Sequence, residues 1–183
     1  MNTKLHPKTE RVLVSTEEIK EVTKRLAARI NEDLNGEELL VIVILKGSMV
    51  FAADLIRELT MPVNLDFMRV SSYGSSTASS GFIQIKQDLS QDISGKNVLI
   101  VEDIIDSGNT LFKLKELLKE RNPKTIRICT LLDKPSRRVT DVEVEYDGIN
   151  IPDEFVVGYG LDYNEAFRNL PYVAVLKREV YEK

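Results

Sequence analysis

The sequence predicts an α/β fold with a mainly parallel central sheet flanked by helices. Apolar, strand-like runs alternate along the chain with amphipathic, helix-like segments, an order typical of parallel sheets. The first run, residues 39–45 (LLVIVIL), is apolar at every position, which indicates a strand covered by helices on both faces. No repeat or linker divides the 183 residues, so we expect one domain, residues 1–183.

Three helices are predicted. The first begins at Ser15, which with Glu18 has the spacing of a capping box, continues as one apolar stripe and stops at Gly36. The second follows the turn Lys46-Gly47-Ser48, and the third covers residues 111–121 with its apolar residues on one face.

Strands are predicted between and after these helices. Besides residues 39–45, they cover residues 63–70, 82–86, 97–101, 125–132 and 155–159. Residues 141–146 alternate acidic with apolar side chains, which predicts an exposed strand with one polar face rather than a metal cluster.

Residues 71–81 contain six serines, two glycines and a single bulky side chain, Tyr73. Such a stretch is typical of a mobile surface connection. It also suits a loop that closes over a reacting centre and excludes water. Composition leaves both interpretations open.

Composition argues against several classes of protein. The net charge of −4 argues against a protein that coats a polyanion, because such binding depends on an excess of Lys and Arg. His6 is the only histidine and Cys129 the only cysteine, so no internal disulfide can form, and neither a zinc site nor a histidine-based triad is expected. No apolar run approaches the ~20 residues of a membrane span. The cytoplasm is therefore the expected location.

Residues 97–111 carry the most informative pattern. A predicted buried strand ends in two adjacent carboxylates, Glu102 and Asp103, and the loop Asp106-Ser107-Gly108-Asn109-Thr110 leads into a helix. Ligands of open α/β sheets bind at the carboxyl ends of strands, and the N–H groups at a helix start hold phosphate. The paired acids could accept hydrogen bonds from a vicinal diol and help hold a hard cation, and Asp106 could accept a proton. The alternative is an acidic loop that only caps the helix.

Several segments resemble one enzyme family. Residues 101–110 (VEDIIDSGNT) closely resemble the phosphoribosyl-diphosphate motif of the hypoxanthine-guanine phosphoribosyltransferases. In the family's order, other segments resemble its diphosphate loop (Leu45-Lys46-Gly47), its mobile lid (Ser72-Tyr73-Gly74), its purine-reading lysine (Lys134) and its C-terminal site (residues 151–168). The departures are small: Ser107 stands where many relatives have threonine, and Asn109 where some have lysine.

The resemblance implies the type I phosphoribosyltransferase fold, with a small hood lobe, and a Mg²⁺-dependent reaction. That reaction transfers the 5-phosphoribosyl group from phosphoribosyl diphosphate to N9 of hypoxanthine or guanine, giving IMP or GMP and diphosphate in purine salvage. It further implies no nucleic-acid or membrane partner, a homodimer or homotetramer, and a cis peptide between Leu45 and Lys46.

The resemblance also implies a role for each matching residue. The residues that would bind the 5-phosphate are Asp106, Ser107, Gly108, Asn109 and Thr110. Glu102 and Asp103 would hold the ribose hydroxyls and Mg²⁺. Lys46, Gly47 and Arg168 would meet the diphosphate, a role that suits the guanidinium fork. Ser72 and Tyr73 would belong to the lid.

The remaining roles concern the base. Phe155 would stack on the purine, Val156 would offer backbone groups to its edge, and Lys134 would bond the oxygen at C6. Asp162 would lie near the base and a second Mg²⁺, and Asp106 would take or share the proton at N7 as N9 attacks.

Three alternatives stay open at this stage. A regulatory protein of the same fold would bind nucleotide or RNA, which the acidic net charge and the presence of Asp106 oppose. A transferase for another base would differ at Asp106, Lys134 or the Phe155-Val156 pair. A phosphoacceptor receiver domain has acids at strand ends but needs no serine-rich loop. Arg137 and Arg138 match no site segment and are expected to be solvated surface.

Overall fold

The computed structural model describes residues 4–72 and 83–182, and for Ser72 only the backbone. In chain order its elements are β1 (Thr9–Val14), α1 (Thr16–Asp33), β2 (Leu39–Ile44), α2 (Met49–Arg57), β3 (Val63–Ser72), β4 (Ile83–Gln87), β5 (Asn97–Ile105), α3 (Asn109–Lys119), β6 (Thr125–Asp133), β7 (Tyr146–Asn150), β8 (Val156–Val157), β9 (Val173–Leu176) and α4 (Arg178–Tyr181). Most of the predicted lid, from Tyr73 onward, lies outside the described residues.

The central sheet has six strands in the order β4-β3-β2-β5-β6-β7. All neighbouring strands are parallel except β3 and β4, which pair antiparallel at one edge. The prediction of an α/β fold with a mainly parallel sheet is confirmed. None of the described helices is long and apolar enough to cross a membrane.

Helices on both faces of the sheet explain the unbroken apolar run in β2. Every residue of β2 is buried. Alternate residues, beginning with Leu39, pack in a core with α1 and α2, and those beginning with Leu40 pack in a second core with α3. The capping box of α1 is formed as predicted, because Glu18 N–H donates to Ser15 Oγ and Ser15 N–H donates to the Glu18 carboxylate.

A second, antiparallel sheet has three strands in the order β1-β9-β8 and forms the predicted hood lobe. Its strands were only partly predicted, because β1 mixes polar with apolar residues and β9 has four residues. Residues 155–159 were predicted to be one strand, but only Val156 and Val157 are extended within the sheet. Gly158, with φ +100°, ends the strand, and Tyr159 follows with φ +50°.

The prediction of an exposed strand over residues 141–146 is wrong. The strand β7 begins only at Tyr146, which is buried. Glu145 is not a solvated residue, because its carboxylate accepts hydrogen bonds from Lys115 Nζ at 2.6 Å and from the Ile128 N–H at 2.7 Å. Of the three alternating acids, only Glu145 forms this tie between α3 and the sheet, whereas Asp141 and Glu143 are exposed.

Breaking this tie should destabilise the protein far more than breaking a surface pair on the same helix. Lys115 and Glu145 side chains are 10% and 21% exposed, so Lys115→Ala leaves a buried carboxylate without its cation and should lower the free energy of unfolding by about 3 kcal/mol. The control, Lys119→Ala, removes an exposed pair with Glu116 and should cost at most about 0.5 kcal/mol. Urea denaturation of both variants measures the difference, and equal losses would contradict this interpretation.

Candidate active site

A cavity of about 420 Å³ lies at the carboxyl ends of β2, β3 and β5. The predicted site residues in its walls are Lys46, Gly47, Glu102, Asp103, Thr110, Asp162 and Arg168. They come from three separate segments of the chain, and the parallel register of β2 and β5 brings the first two together, since Val43 pairs with Val101. The site thus forms where ligands of open α/β sheets bind.

Two carboxylates form the floor of this cavity. Glu102 and Asp103 lie within β5 near its carboxyl end, because the strand continues to Ile105. Both open onto the cavity but are surrounded by protein, and burial raises the pKa of Asp103 to about 6. Burial, together with the adjacent Asp103 carboxylate, raises the pKa of Glu102 well above its ordinary value. Such a pair is stabilised by any cation that enters.

The described residues by themselves do not form a metal-binding cluster. Within residues 4–72 and 83–182, no three His, Cys, Asp or Glu side chains come together closely enough to hold an ion. In proteins, Mg²⁺ is usually held by one or two carboxylates together with waters and substrate phosphates.

The loop after β2 packs directly on these acids. The Leu45–Lys46 peptide is cis, as predicted. A Cβ atom at Gly47 would overlap the Asp103 carboxylate, and a Cβ atom at Gly160 would overlap the Gly47 carbonyl oxygen. Gly47 therefore lies against Asp103, and Gly160 lies against the backbone of Gly47, with no room for a side chain at either position.

Two cations that line the cavity share one anion. Lys46 Nζ lies 3.0 Å from Glu165 Oε2, and Arg168 Nη2 lies 3.1 Å from the same oxygen. Arg168 also contacts Asp162 Oδ1 at 2.8 Å and donates to the Gly160 carbonyl at 2.8 Å. Sequence reasoning assigned no role to Glu165, because nothing in the pattern shows that residues 46 and 165 meet.

The acidic loop forms a second, smaller cavity of about 140 Å³ beside the first. Gly108 caps α3 with φ +83°, so the loop turns sharply before the helix. The Ser107 carbonyl accepts hydrogen bonds from the N–H groups of Val139 and Thr140, each at 3.0 Å. The first-turn N–H groups of α3 have no partner within the helix, and they border a space that Thr110 also lines.

The residues predicted to read a base lie beside this loop. The Lys134 side chain is 11% exposed; its Nζ donates to the Glu154 carbonyl at 2.7 Å and its N–H donates to the Ile105 carbonyl at 2.9 Å. The Phe155 carbonyl accepts from Leu176 N–H. Because successive backbone groups alternate in direction along a strand, the N–H and C=O of Val156 point to the edge of β8 away from β9.

Phe155 has aromatic neighbours that the sequence did not reveal. It is 39% exposed, stacks with Tyr181 at a centroid distance of 4.9 Å, and meets Tyr163 edge-on at 5.6 Å. Tyr181 belongs to the short C-terminal helix α4. Aromatic contacts of this kind orient the Phe155 ring.

The prediction that Arg137 and Arg138 are solvated surface is confirmed for Arg137, which is exposed but paired, and wrong for Arg138, which is partly buried. Arg137 Nε lies 2.6 Å from Asp106 Oδ1, and its Nη1 lies 3.3 Å from Asp153 Oδ1. Arg138 forms an ion pair with Asp133, and its side chain is 21% exposed. The contacts of Arg137 have no local sequence signal, because Asp106 and Asp153 belong to other segments.

Comparison with known proteins identifies the class. The phosphoribosyl transferase domain family matches residues 13–164, so the fold and the acidic loop are those of a phosphoribosyltransferase. The chain is 53% identical over 172 residues to the hypoxanthine-guanine phosphoribosyltransferase of Streptococcus pneumoniae, a match that covers 94% of this chain and 96% of that protein.

Solved structures agree with this relationship. The crystal structure of a hypoxanthine phosphoribosyltransferase from Staphylococcus aureus superposes with a TM-score of 0.94 at 48% identity and covers both chains completely (100% of each). A hypoxanthine-guanine phosphoribosyltransferase from Bacillus anthracis gives 0.89 at 50% identity, over 92% of this chain and 99% of that one. The chain belongs to the hypoxanthine-guanine phosphoribosyltransferase family.

The stacking of Gly160 on the loop after β2 can be tested by adding one methyl group. Gly160 and Gly36 both have positive φ, +101° and +76°, but only Gly160 has a close neighbour, since nothing lies within 4 Å of a Cβ at Gly36. Gly36→Ala should cost about 1–2 kcal/mol from backbone strain alone. Gly160→Ala adds a clash with the Gly47 carbonyl and should cost about 2–5 kcal/mol. Thermal and chemical denaturation measure both, and similar losses would show that the contact is loose.

Proposed function

We propose that the protein transfers the 5-phosphoribosyl group of phosphoribosyl diphosphate to N9 of hypoxanthine or guanine, forming IMP or GMP and diphosphate in purine salvage. The observation that carries the proposal is the cavity itself. Carboxylates suited to ribose and a cation, a helix start suited to phosphate, and a Lys–Arg pair suited to diphosphate border two adjoining cavities that share Glu102 and Thr110.

The 5-phosphate would bind at the start of α3. Asp106, Ser107, Gly108, Asn109 and Thr110 surround the smaller cavity or adjoin it. The N–H groups of the first helical turn, which have no acceptor within the helix, and the positive end of the helix dipole favour an anion there. The hydroxyl groups of Ser107 and Thr110 supply further donors.

Glu102 and Asp103 would accept hydrogen bonds from the two ribose hydroxyls and hold Mg²⁺ with them. Burial, and at Glu102 the adjacent Asp103 charge, raise the pKa values of the pair, and a bound cation would stabilise their charged forms. When bound, Mg²⁺ neutralises part of the charge on the diphosphate. Asp162 faces the same cavity and would take part in holding a second Mg²⁺, although Arg168 and the Glu165 N–H now occupy its oxygens.

The diphosphate would bind at the backbone of Lys46 and Gly47 and at the guanidinium of Arg168. The Glu165 carboxylate now bridges the two cations, so an incoming diphosphate would exchange with an anion that the protein itself supplies. Ser72 and Tyr73 would cover the reacting centre as part of the lid, which would exclude water from the transfer.

The purine would lie between Phe155 and the acidic loop. Lys134 has three donors and uses one on the Glu154 carbonyl, which leaves two for the oxygen at C6 of a 6-oxopurine. The exposed face of Phe155 would stack on the base, and Val156 would bond its edge. Asp106 would accept the N7 proton as N9 attacks C1′ and diphosphate leaves.

The proposal also covers the oligomeric state of the protein and its location in the cell. We expect a homodimer or homotetramer in the cytoplasm, with phosphoribosyl diphosphate and a 6-oxopurine as its small-molecule partners. Leu65 and Phe67 support an interface between copies, because they lie on one face of β3 and are 40% and 38% exposed.

A panel of nucleobases tests the substrate class. With phosphoribosyl diphosphate and Mg²⁺, we expect turnover of hypoxanthine and guanine and rejection of adenine by about 10⁴–10⁵-fold, because adenine presents a donor to the Lys134 ammonium. Lys134→Ala should lower kcat/KM strongly for both oxopurines. The matched control is Lys177→Ala, a lysine outside both cavities. Comparable rates with adenine would contradict the role of Lys134.

The second test concerns the proton acceptor. Asp106→Asn should lower kcat by about 10²–10⁴-fold, the usual contribution of a positioned base, while binding of phosphoribosyl diphosphate changes little. Asp141→Asn, an exposed acid in the following segment, should leave kcat unchanged. Steady-state kinetics measures both variants, and near-normal turnover in Asp106→Asn would remove Asp106 from the mechanism.

A further inference from the structure

We infer that Arg137 is a positioning residue for the proposed transfer: its guanidinium orients the Asp106 carboxylate so that one oxygen faces the purine. The inference rests on the proposed function. It concerns a residue that the sequence pattern had placed on the solvated surface.

The first support is that the two carboxylate oxygens of Asp106 have different surroundings. Oδ1 lies 2.6 Å from Arg137 Nε. It is buried, and no described residue donates it an aligned hydrogen bond, so the contact is an ion pair at close range. The Asp106 side chain as a whole is 45% exposed. The oxygen open to a ligand is therefore Oδ2.

The second support is that Arg137 is itself held on both sides. Its N–H donates to the Lys134 carbonyl at 3.0 Å, within a single 3₁₀ turn over Pro135–Arg137. Its Nη1 lies 3.3 Å from Asp153 Oδ1. One planar guanidinium thus spans the acidic loop and the segment that leads into Phe155, a geometry that an ammonium group cannot reproduce.

The third support is the place of this bridge among the base-reading groups. Lys134 is tied to the same two segments, through the Ile105 carbonyl on one side and the Glu154 carbonyl on the other. Lys134 and Arg137 therefore form two parallel links between the acidic loop and residues 153–154. The first would contact the base, and the second would set the direction of the acid that accepts its proton.

Orientation matters because a carboxylate can turn about its Cβ–Cγ bond. The N7 proton passes to Asp106 Oδ2 while the N9–C1′ bond forms and the bond from C1′ to diphosphate breaks. A misplaced acceptor slows such a step without weakening the binding of phosphoribosyl diphosphate. Arg137 and Asp106 are about half exposed, 50% and 45%, and pairs of that exposure add little to stability. The effect of losing Arg137 is therefore expected in turnover and not in folding.

The first experiment separates turnover from binding. Arg137→Gln should lower kcat by about 10–100-fold, the cost of a misplaced reacting group, with KM for phosphoribosyl diphosphate and the unfolding midpoint nearly unchanged. Arg137→Lys, which keeps the charge but cannot span both acids, should recover part of the loss. The control is Arg121→Gln, which removes a partly exposed pair with Asp88 and should leave kcat unchanged. A normal kcat in Arg137→Gln would overturn the inference.

A double-mutant cycle then tests whether Arg137 acts through Asp106. If it does, Asp106→Asn combined with Arg137→Gln should be as slow as Asp106→Asn alone, within about twofold, because interacting residues are not additive. Multiplied losses would overturn the inference and leave the proposed function standing. A wild-type protein that transfers no phosphoribosyl group to any 6-oxopurine would instead overturn the proposed function, and the inference with it.

Discussion

The burial of two adjacent carboxylates at the end of a central strand is the constraint on which the site depends. Glu102 and Asp103 lie on β5 between β2 and β6, so neighbouring strands limit their contact with water. Burial raises the pKa of both groups, and the Asp103 charge adds to the shift at Glu102, whereas Arg168 offsets part of the shift at Asp103. The protein thus carries an unfavourable arrangement of like charges that a cation and a diol would relieve.

The surrounding backbone is shaped by the same acids. Gly47 packs against Asp103 and Gly160 packs against Gly47, and a side chain at either glycine would overlap an oxygen atom. This stacking joins the loop after β2 to the C-terminal segment that contains Asp162 and Arg168. The walls of the cavity are consequently tied together through backbone, which suits a site that must keep its geometry while ligands enter and leave.

Each cation of the site is already paired with an acid of the protein. Glu165 bridges Lys46 and Arg168, and Asp106 and Asp153 flank Arg137. The first set of pairs would exchange for diphosphate, whereas the second would persist while Asp106 Oδ2 meets the base. The two sets of ion pairs would therefore serve different purposes. Diphosphate would displace the Glu165 pairs, whereas the Arg137 pairs would hold the proton acceptor in place.

The sequence by itself determined the fold class, the capping of α1, the buried character of β2 and the residues at the carboxyl end of β5. These properties are encoded within a few consecutive residues, where periodicity and motif spacing are visible. It did not reveal that Glu145 is buried against Lys115, that Glu165 meets Lys46, or that Arg137 meets Asp106. Those partners are separated by 30 residues in the first case and 119 in the second. Only the tertiary structure decided them, because an ion pair depends on which chain segments the sheet order brings side by side.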